Sequence, residues 1–250
     1  MRSVASASRT PIGLSGYCRG SEGNCMPIST NTFLQEIKAA LGPLARDAKQ
    51  STRAWDLYEV LVFGAVIESA RSLNAQVDLL DPIGNPATRY LFRSSPGPLA
   101  QPSQQFTHAE IRFSGHAALE VHTGIWVLGK SQLPHECDCA VLLKAEADAA
   151  RNGGGRTPLW GHVLLHVESK YYKGPIPFGH GRGFLGLSLD LGWKGSTLVI
   201  NRESPNAMQL VRSRRKAAAL KFSPGDNQDL AQLKRRFRKR FIQYQKTGSV

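Results

Sequence analysis

The stretch Pro134-His135-Glu136-Cys137-Asp138, followed further along by His166-Val167-Glu168-Ser169-Lys170, decides how this chain is read. On a strand successive side chains alternate between faces, so Glu136 and Asp138 share one face while Cys137, Cys139 and Val141 share the other. Over 163–170 the same alternation sends Val163, Leu165, Val167 and Ser169 one way and Leu164, His166, Glu168 and Lys170 the other. If the two strands are sheet neighbours, a carboxylate and an ammonium two residues apart stand beside Glu136 and Asp138. Apolar packing does not demand that arrangement; the plainer explanation is an exposed Glu/Lys pair across a sheet surface.

Hard oxygen donors suit Mg²⁺ or Mn²⁺, which are held by one or two carboxylates together with waters and phosphate oxygens. Such an ion orients and acidifies a water and neutralises charge developing on a phosphodiester. Lys170 is placed to hold or deprotonate that water, or to bind the scissile phosphate. An Asp followed on the next strand by Glu-x-Lys resembles the PD-(D/E)xK nuclease superfamily, with Asp138, Glu168 and Lys170 at the motif positions. Pro134 stands four residues before Asp138 rather than directly before it, which leaves open whether Glu136 or Asp138 is the principal ligand. Asp138 is preferred because it lies deeper in its strand, with Glu136 as a second ligand or a strand-end residue.

The resemblance covers residues 52–200, about three fifths of the chain. It implies an α/β fold with a restriction endonuclease-like α/β/α core, a central mixed β-sheet flanked by helices, and a metal-dependent nuclease activity. The substrate implied is nucleic acid, DNA rather than RNA, cut as an endonuclease in a setting of microbial defence, restriction or repair. In that superfamily the first core helix often contributes a Glu, which by position is Glu59, and the helix after the Glu-x-Lys strand often sends a basic residue to the site, which is Arg182. A surface role explains either residue equally simply. The alternative function, of another class, is a non-catalytic nucleic-acid-binding or assembly protein on the same fold.

Charge supports an anionic partner. The net charge is +13, and residues 212–250 hold twelve Lys/Arg against two Asp, so most of the excess lies at the end of the chain. A cluster of that kind supplies salt-sensitive affinity for phosphates that does not depend on base sequence. Four cysteines in 250 residues do not form a secreted disulfide framework, so a reducing, cytoplasmic setting is expected. Zinc is not expected, because Cys18, Cys25, Cys137 and Cys139 lack knuckle spacing. No apolar run is long enough to span a membrane.

Along the chain, residues 1–31 are rich in Ser, Gly, Thr and Pro and predict a flexible leader. Residues 32–205 form the expected nuclease domain and 206–250 a basic helical extension. Helical spacing is seen over 32–50 and, most clearly, over 52–74, where Ser51 or Thr52 can cap the helix. Strands are expected at 77–80, 90–93, 109–113 and 117–128, and a short alanine-rich helix over 144–151. Glu120, in the strand before Asp138, is a further candidate for metal binding or for positioning a water, with His122 and His135 as weaker ones. Residues 196–200 are read as the last core strand and 205–222 as a helix. The final helix, 226–245, carries the apolar stripe Leu230, Leu233, Phe237, Phe241 and Tyr244. Its other face, Lys234, Arg235, Arg236, Arg238, Lys239 and Arg240, is the candidate nucleic-acid-binding surface. Choice of target would come from loops, a homodimer partner or another subunit.

Overall fold

Helix α2 (Ala54–Arg71) is apolar on nearly every side, and almost every residue from Leu57 to Ala70 is buried. A helix of that composition must be covered all round. The computed structural model, which describes residues 30–41, 54–91, 93, 95–100, 105–214 and 217–250, covers it with a sheet on one side and two helices on the other. These are α1 (Thr30–Leu41) and α6 (Asn227–Thr247), and Ile37, Leu233, Phe237, Phe241 and Tyr244 join α2 in the largest apolar cluster. Residues 1–29 of the expected leader, Cys18, Cys25 and the cap at Ser51 or Thr52 lie outside the described residues.

The sheet has seven strands in chain order. β1 (Gln76–Leu80), β2 (His108–Arg112), β3 (Leu119–Leu128), β4 (Pro134–Leu143) and β5 (Val163–Lys170) are antiparallel neighbours. β6 (Ser196–Ile200) and β7 (Ala218–Lys221) then add in parallel, which requires crossovers. Helix α4 (Phe178–Leu191) makes the first and α5 (Pro205–Ser213) the second. On β6, Val199 packs into the α2 cluster while Leu198 and Ile200 meet Phe184 of α4 and Met208 of α5. Helix α3 (Lys144–Asn152) packs Ala147 and Ala150 into a third cluster with Ala140 and Leu142. The architecture is therefore α/β, a mixed sheet between helical layers.

Three expectations change. Residues 90, 91 and 93 are not a strand: Tyr90 is fully buried against Phe63, ring centroids 5.3 Å apart, and Leu91 trades hydrogen bonds with Thr107 through its side-chain hydroxyl as well as its backbone. Residues 196–200 are not the last strand, because 218–221, read as the end of a helix, alternates as β7: Ala219 faces α5 and Leu220 the α2 cluster. Residues 206–250 are not an appendage but supply α5, β7 and α6 to the same sheet and core. Asp226 starts α6 by accepting from the backbone N–H groups of Gln228 (2.9 Å) and Asp229 (3.1 Å), and Gly248, at φ +65°, ends it. Among the described residues no helix is long and apolar enough to cross a membrane.

Candidate active site

The site begins where the strand alternation fails. On β3, Leu119 and Val121 pack into the α2 cluster, but Ile125 and Val127 pack into the opposite one; on β4, Cys139 and Val141 go with α2 and Cys137 goes the other way. The expectation that Cys137 and Cys139 share a face is thus overturned. Gly124, at φ +57°, lies at the switch on β3, and the pairs Thr123↔Cys139 and Ile125↔Cys137 on either side of it put Asp138 at the switch on β4. Left-handed backbone of this kind reverses a strand's faces locally, and glycine adopts it without steric cost.

The β4–β5 ladder also ends there, at Cys139↔Val167. Beyond it the backbone N–H of Ser169 donates not to β4 backbone but to Asp138 Oδ2, at 2.7 Å, and the Ser169 hydroxyl reaches the same oxygen at 3.2 Å. The two strands part around the Asp138 carboxylate, and a cleft of about 450 Å³ opens between them. Glu59, His135, Glu136, Asp138, Glu168, Lys170, Gly183 and Leu187 line it. Lys170 Nζ stands 2.6 Å from Glu168 Oε1 and 3.4 Å from Asp138 Oδ2, bridging the two strands.

Four carboxylates and one ammonium make an unbalanced set, and the protonation equilibria register it. Burial, then repulsion from Asp138 and Asp56, pushes the Glu59 carboxyl up to about 9. Burial and Asp138 push Glu168 up to about 7, against the pull of Lys170. Glu136 is raised for the same two reasons. Burial opposes the charge on Lys170, but Asp138 and Glu168 outweigh it and hold the ammonium above its ordinary value. Glu59 is the one acid on α2 between its first turn and its end, in a helix otherwise built to be buried. Perturbation of this kind in a cleft, by burial together with specific charge partners, nominates a functional site.

These shifts have a sign. A carboxyl whose folded pKa exceeds its unfolded value binds more protons when folded, so stability falls as pH rises. The metal-free protein is therefore expected to lose melting temperature as pH rises above the unfolded carboxylate range, the Glu168 share being gone by about pH 7 and the Glu59 share by about pH 9. The buried histidines His108 and His166, lowered to about 3 and about 4 chiefly by burial, act in the opposite direction but only below their unfolded range. Thermal melts in EDTA should show the decline, Glu59→Gln should flatten its upper part, and divalent cation should oppose it. A melting temperature that climbs across this window would show that the carboxylates are not crowded.

Among the described residues, no three His, Cys, Asp and Glu side chains are grouped so as to hold a metal by themselves. Mg²⁺ does not need such a cage: it keeps several waters and takes one or two carboxylates plus substrate oxygens. The donor set Asp138 and Glu168, with excess negative charge around it, fits that mode.

The remaining candidates do not join the site. Glu120 is fully buried four residues from the level of Asp138, opposite Leu142 on β4. It accepts two hydrogen bonds from Arg151, at 2.8 and 2.5 Å, lies 2.8 Å from His122 Nε2 and 3.6 Å from Lys144 Nζ. Burial would raise its carboxyl, but His122 and Arg151 hold it below the usual range. Its charge is met inside that network, away from the cleft, and His122, wholly buried beside it, belongs to the same network. Arg182 points outward, its guanidinium over the Phe178 ring at 4.7 Å, because the inward positions of α4 are Gly181, Phe184, Ser188 and Leu191.

The basic face of α6 is divided. Arg240 is buried and donates twice to the carbonyl of Leu164, at 3.2 and 3.1 Å, where a register shift makes the β4–β5 ladder skip that residue. Arg236 reaches the carbonyls of Lys194 and Ser196, and Lys234 pairs with Glu68. Arg235, Arg238 and Lys239 remain exposed.

Two features were not foreseen. His135 is tied through Nε2 to Asp190 Oδ2 at 2.5 Å, and the Ser131 backbone N–H donates to Asp190 Oδ1 at 2.7 Å, clamping the β3–β4 turn onto the end of α4. Tyr172 Oη and His180 Nε2 lie 2.6 Å apart just beyond Lys170. No local pattern announces either pair, since each joins residues brought together by the α4 crossover. Compared with known proteins, the chain matches no family model, no curated protein and no solved structure.

Proposed function

We propose that the chain is a metal-dependent nuclease that hydrolyses phosphodiester bonds of nucleic acid, with DNA as the substrate. The observation that carries this reading is the Lys170 ammonium held between Asp138 and Glu168 on two parting strands, in a cleft crowded by Glu59 and Glu136. After α2 come five antiparallel strands, then α4 and a parallel strand; within that order β3, β4, β5, α4 and β6 support a restriction endonuclease-like core, the fold in which an Asp and a Glu-x-Lys are paired this way.

Asp138 and Glu168 are the residues that would hold Mg²⁺ or Mn²⁺, with Glu136 at the mouth; such an ion supplies acidification of water and charge neutralisation at phosphate. Lys170 fixes the attacking water or a non-bridging phosphate oxygen. Ser169 orients the Asp138 carboxylate through Oδ2, and neither of its bonds uses Oδ1. Glu59, protonated at neutral pH, holds a proton within the cleft. Arg235, Arg238 and Lys239 are the part of the α6 surface still available to phosphates.

The test is incubation of circular and linear DNA, single-stranded DNA and RNA with the full chain in Mg²⁺, Mn²⁺ or EDTA, alongside Asp138→Asn. Metal-dependent cutting that falls by at least about a hundredfold in the variant supports the reading, and nicked circles identify an endonuclease. Binding to every substrate with no cutting under any metal would replace it by the non-catalytic nucleic-acid-binding function.

A further inference from the structure

We propose that the mouth of this cleft takes an unpaired nucleic-acid strand, with Trp55 and Trp126, the indoles nearest Glu136 in the cavity and in the ladder, stacking on its bases. The inference rests on the nuclease reading and adds the class of substrate. A second cavity, about 230 Å³, adjoins the first: Glu59 and Glu136 line both, and its wall continues through Trp55, Pro96 and Gly124. Trp55 stands at the start of α2 and is 51% exposed, although the rest of that helix turns its large apolar side chains inward. Trp126 is directly opposite Glu136 in the β3–β4 register and is 39% exposed. Cross-strand partners share a sheet face, so Glu136 has one indole across the cavity and another across the ladder.

The chemistry of the wall selects the ligand. Asp56, Glu59 and Glu136 line the adjoining cavity against one cation, Arg93, whose guanidinium lies over the Phe106 ring at 3.7 Å and donates to the carbonyl of Pro98, so a phosphate backbone gains little by lying along it. Flat aromatic surface can supply affinity instead, but only to a base whose face is open. In a duplex both faces of each base are already covered by its neighbours; in a single strand they can transfer to an indole. Two exposed indoles beside the acid that both cavities share would hold bases of a strand whose backbone reaches the cleft of Asp138 and Lys170. The unpaired strand is therefore bound by stacking and cut at the carboxylates.

The experiment uses the full chain in EDTA and measures fluorescence anisotropy of a labelled single-stranded oligonucleotide and its duplex, for wild type and for W55A, W126A, W55F and W126F. The single strand should bind more tightly than the duplex. Each alanine should weaken single-strand binding roughly tenfold, each phenylalanine should restore most of it, and the dependence on salt should be unchanged. In cutting of single-stranded substrate in Mg²⁺ each alanine should raise KM and leave kcat near the wild-type value. Equal affinity for strand and duplex, or alanine variants that bind as wild type, would overturn the surface while leaving the nuclease reading standing. Tryptophan-dependent strand binding without cutting in Mg²⁺ or Mn²⁺ would keep the surface and remove the nuclease.

Discussion

Lys170→Met should lower DNA cleavage by about 10²- to 10⁴-fold while leaving Mn²⁺ binding intact, the expected cost of removing one positioned proton-transfer or charge-stabilising group. Its Nζ is 2.6 Å from Glu168 and 3.4 Å from Asp138, and among the described residues it is the one cation lining a cleft with four carboxylates. Methionine keeps the length and apolar stem of the side chain and removes the charge. Because Lys170 pulls down both Glu59 and Glu168, its loss should raise both further and steepen the alkaline decline in stability. Two measurements separate the roles: plasmid cleavage rates, and melting temperature against pH in EDTA. A variant that cuts near the wild-type rate would take Lys170 out of the chemistry, and one with no steeper decline would take it out of the charge balance.

Glu120→Ala should destabilise the fold by about 3–5 kcal/mol, the scale for removing one partner of a buried ion pair. Arg151 would keep Asp148, 2.6 Å away, but would lose two hydrogen bonds to Glu120, and Lys144 would lose a partner at 3.6 Å. His122, wholly buried and shifted down by that burial, is already uncharged at neutral pH and has no proton to release in compensation. Urea denaturation at pH 7 measures the loss. The same variant, assayed below its melting temperature, should cut DNA at close to the wild-type rate, because Glu120 is absent from the cleft. Normal stability with abolished cutting would restore Glu120 as a catalytic residue and require a different reading of the site.

The motif strands, the long apolar helix and the basic final helix were all legible from periodicity, since each depends on spacing within a few neighbouring residues. Strand alternation put Asp138 and Glu136 on one face and Glu168 and Lys170 on another, their roles came from the resemblance to the PD-(D/E)xK motif, and Glu59 was nominated only by its position in the first core helix that the resemblance implies. Glu120 and Asp138 look alike in that light: both are strand acids in apolar company. They part only in three dimensions, where Glu120 meets Arg151, Lys144 and two histidines, and Asp138 meets other carboxylates.

The basic helix shows the same limit. Nothing local separates Arg240 from Arg238, yet one satisfies the carbonyl of Leu164 and the other faces water. Side-chain chemistry and period are properties of the sequence itself, and they determined an α/β chain, the motif strands and the acids and lysine worth testing. Which charges neutralise one another depends on register, on the face reversal at Gly124 and on the parting of β4 from β5 around Asp138. Those are set by contacts between segments far apart in the chain, and only the tertiary structure decided them.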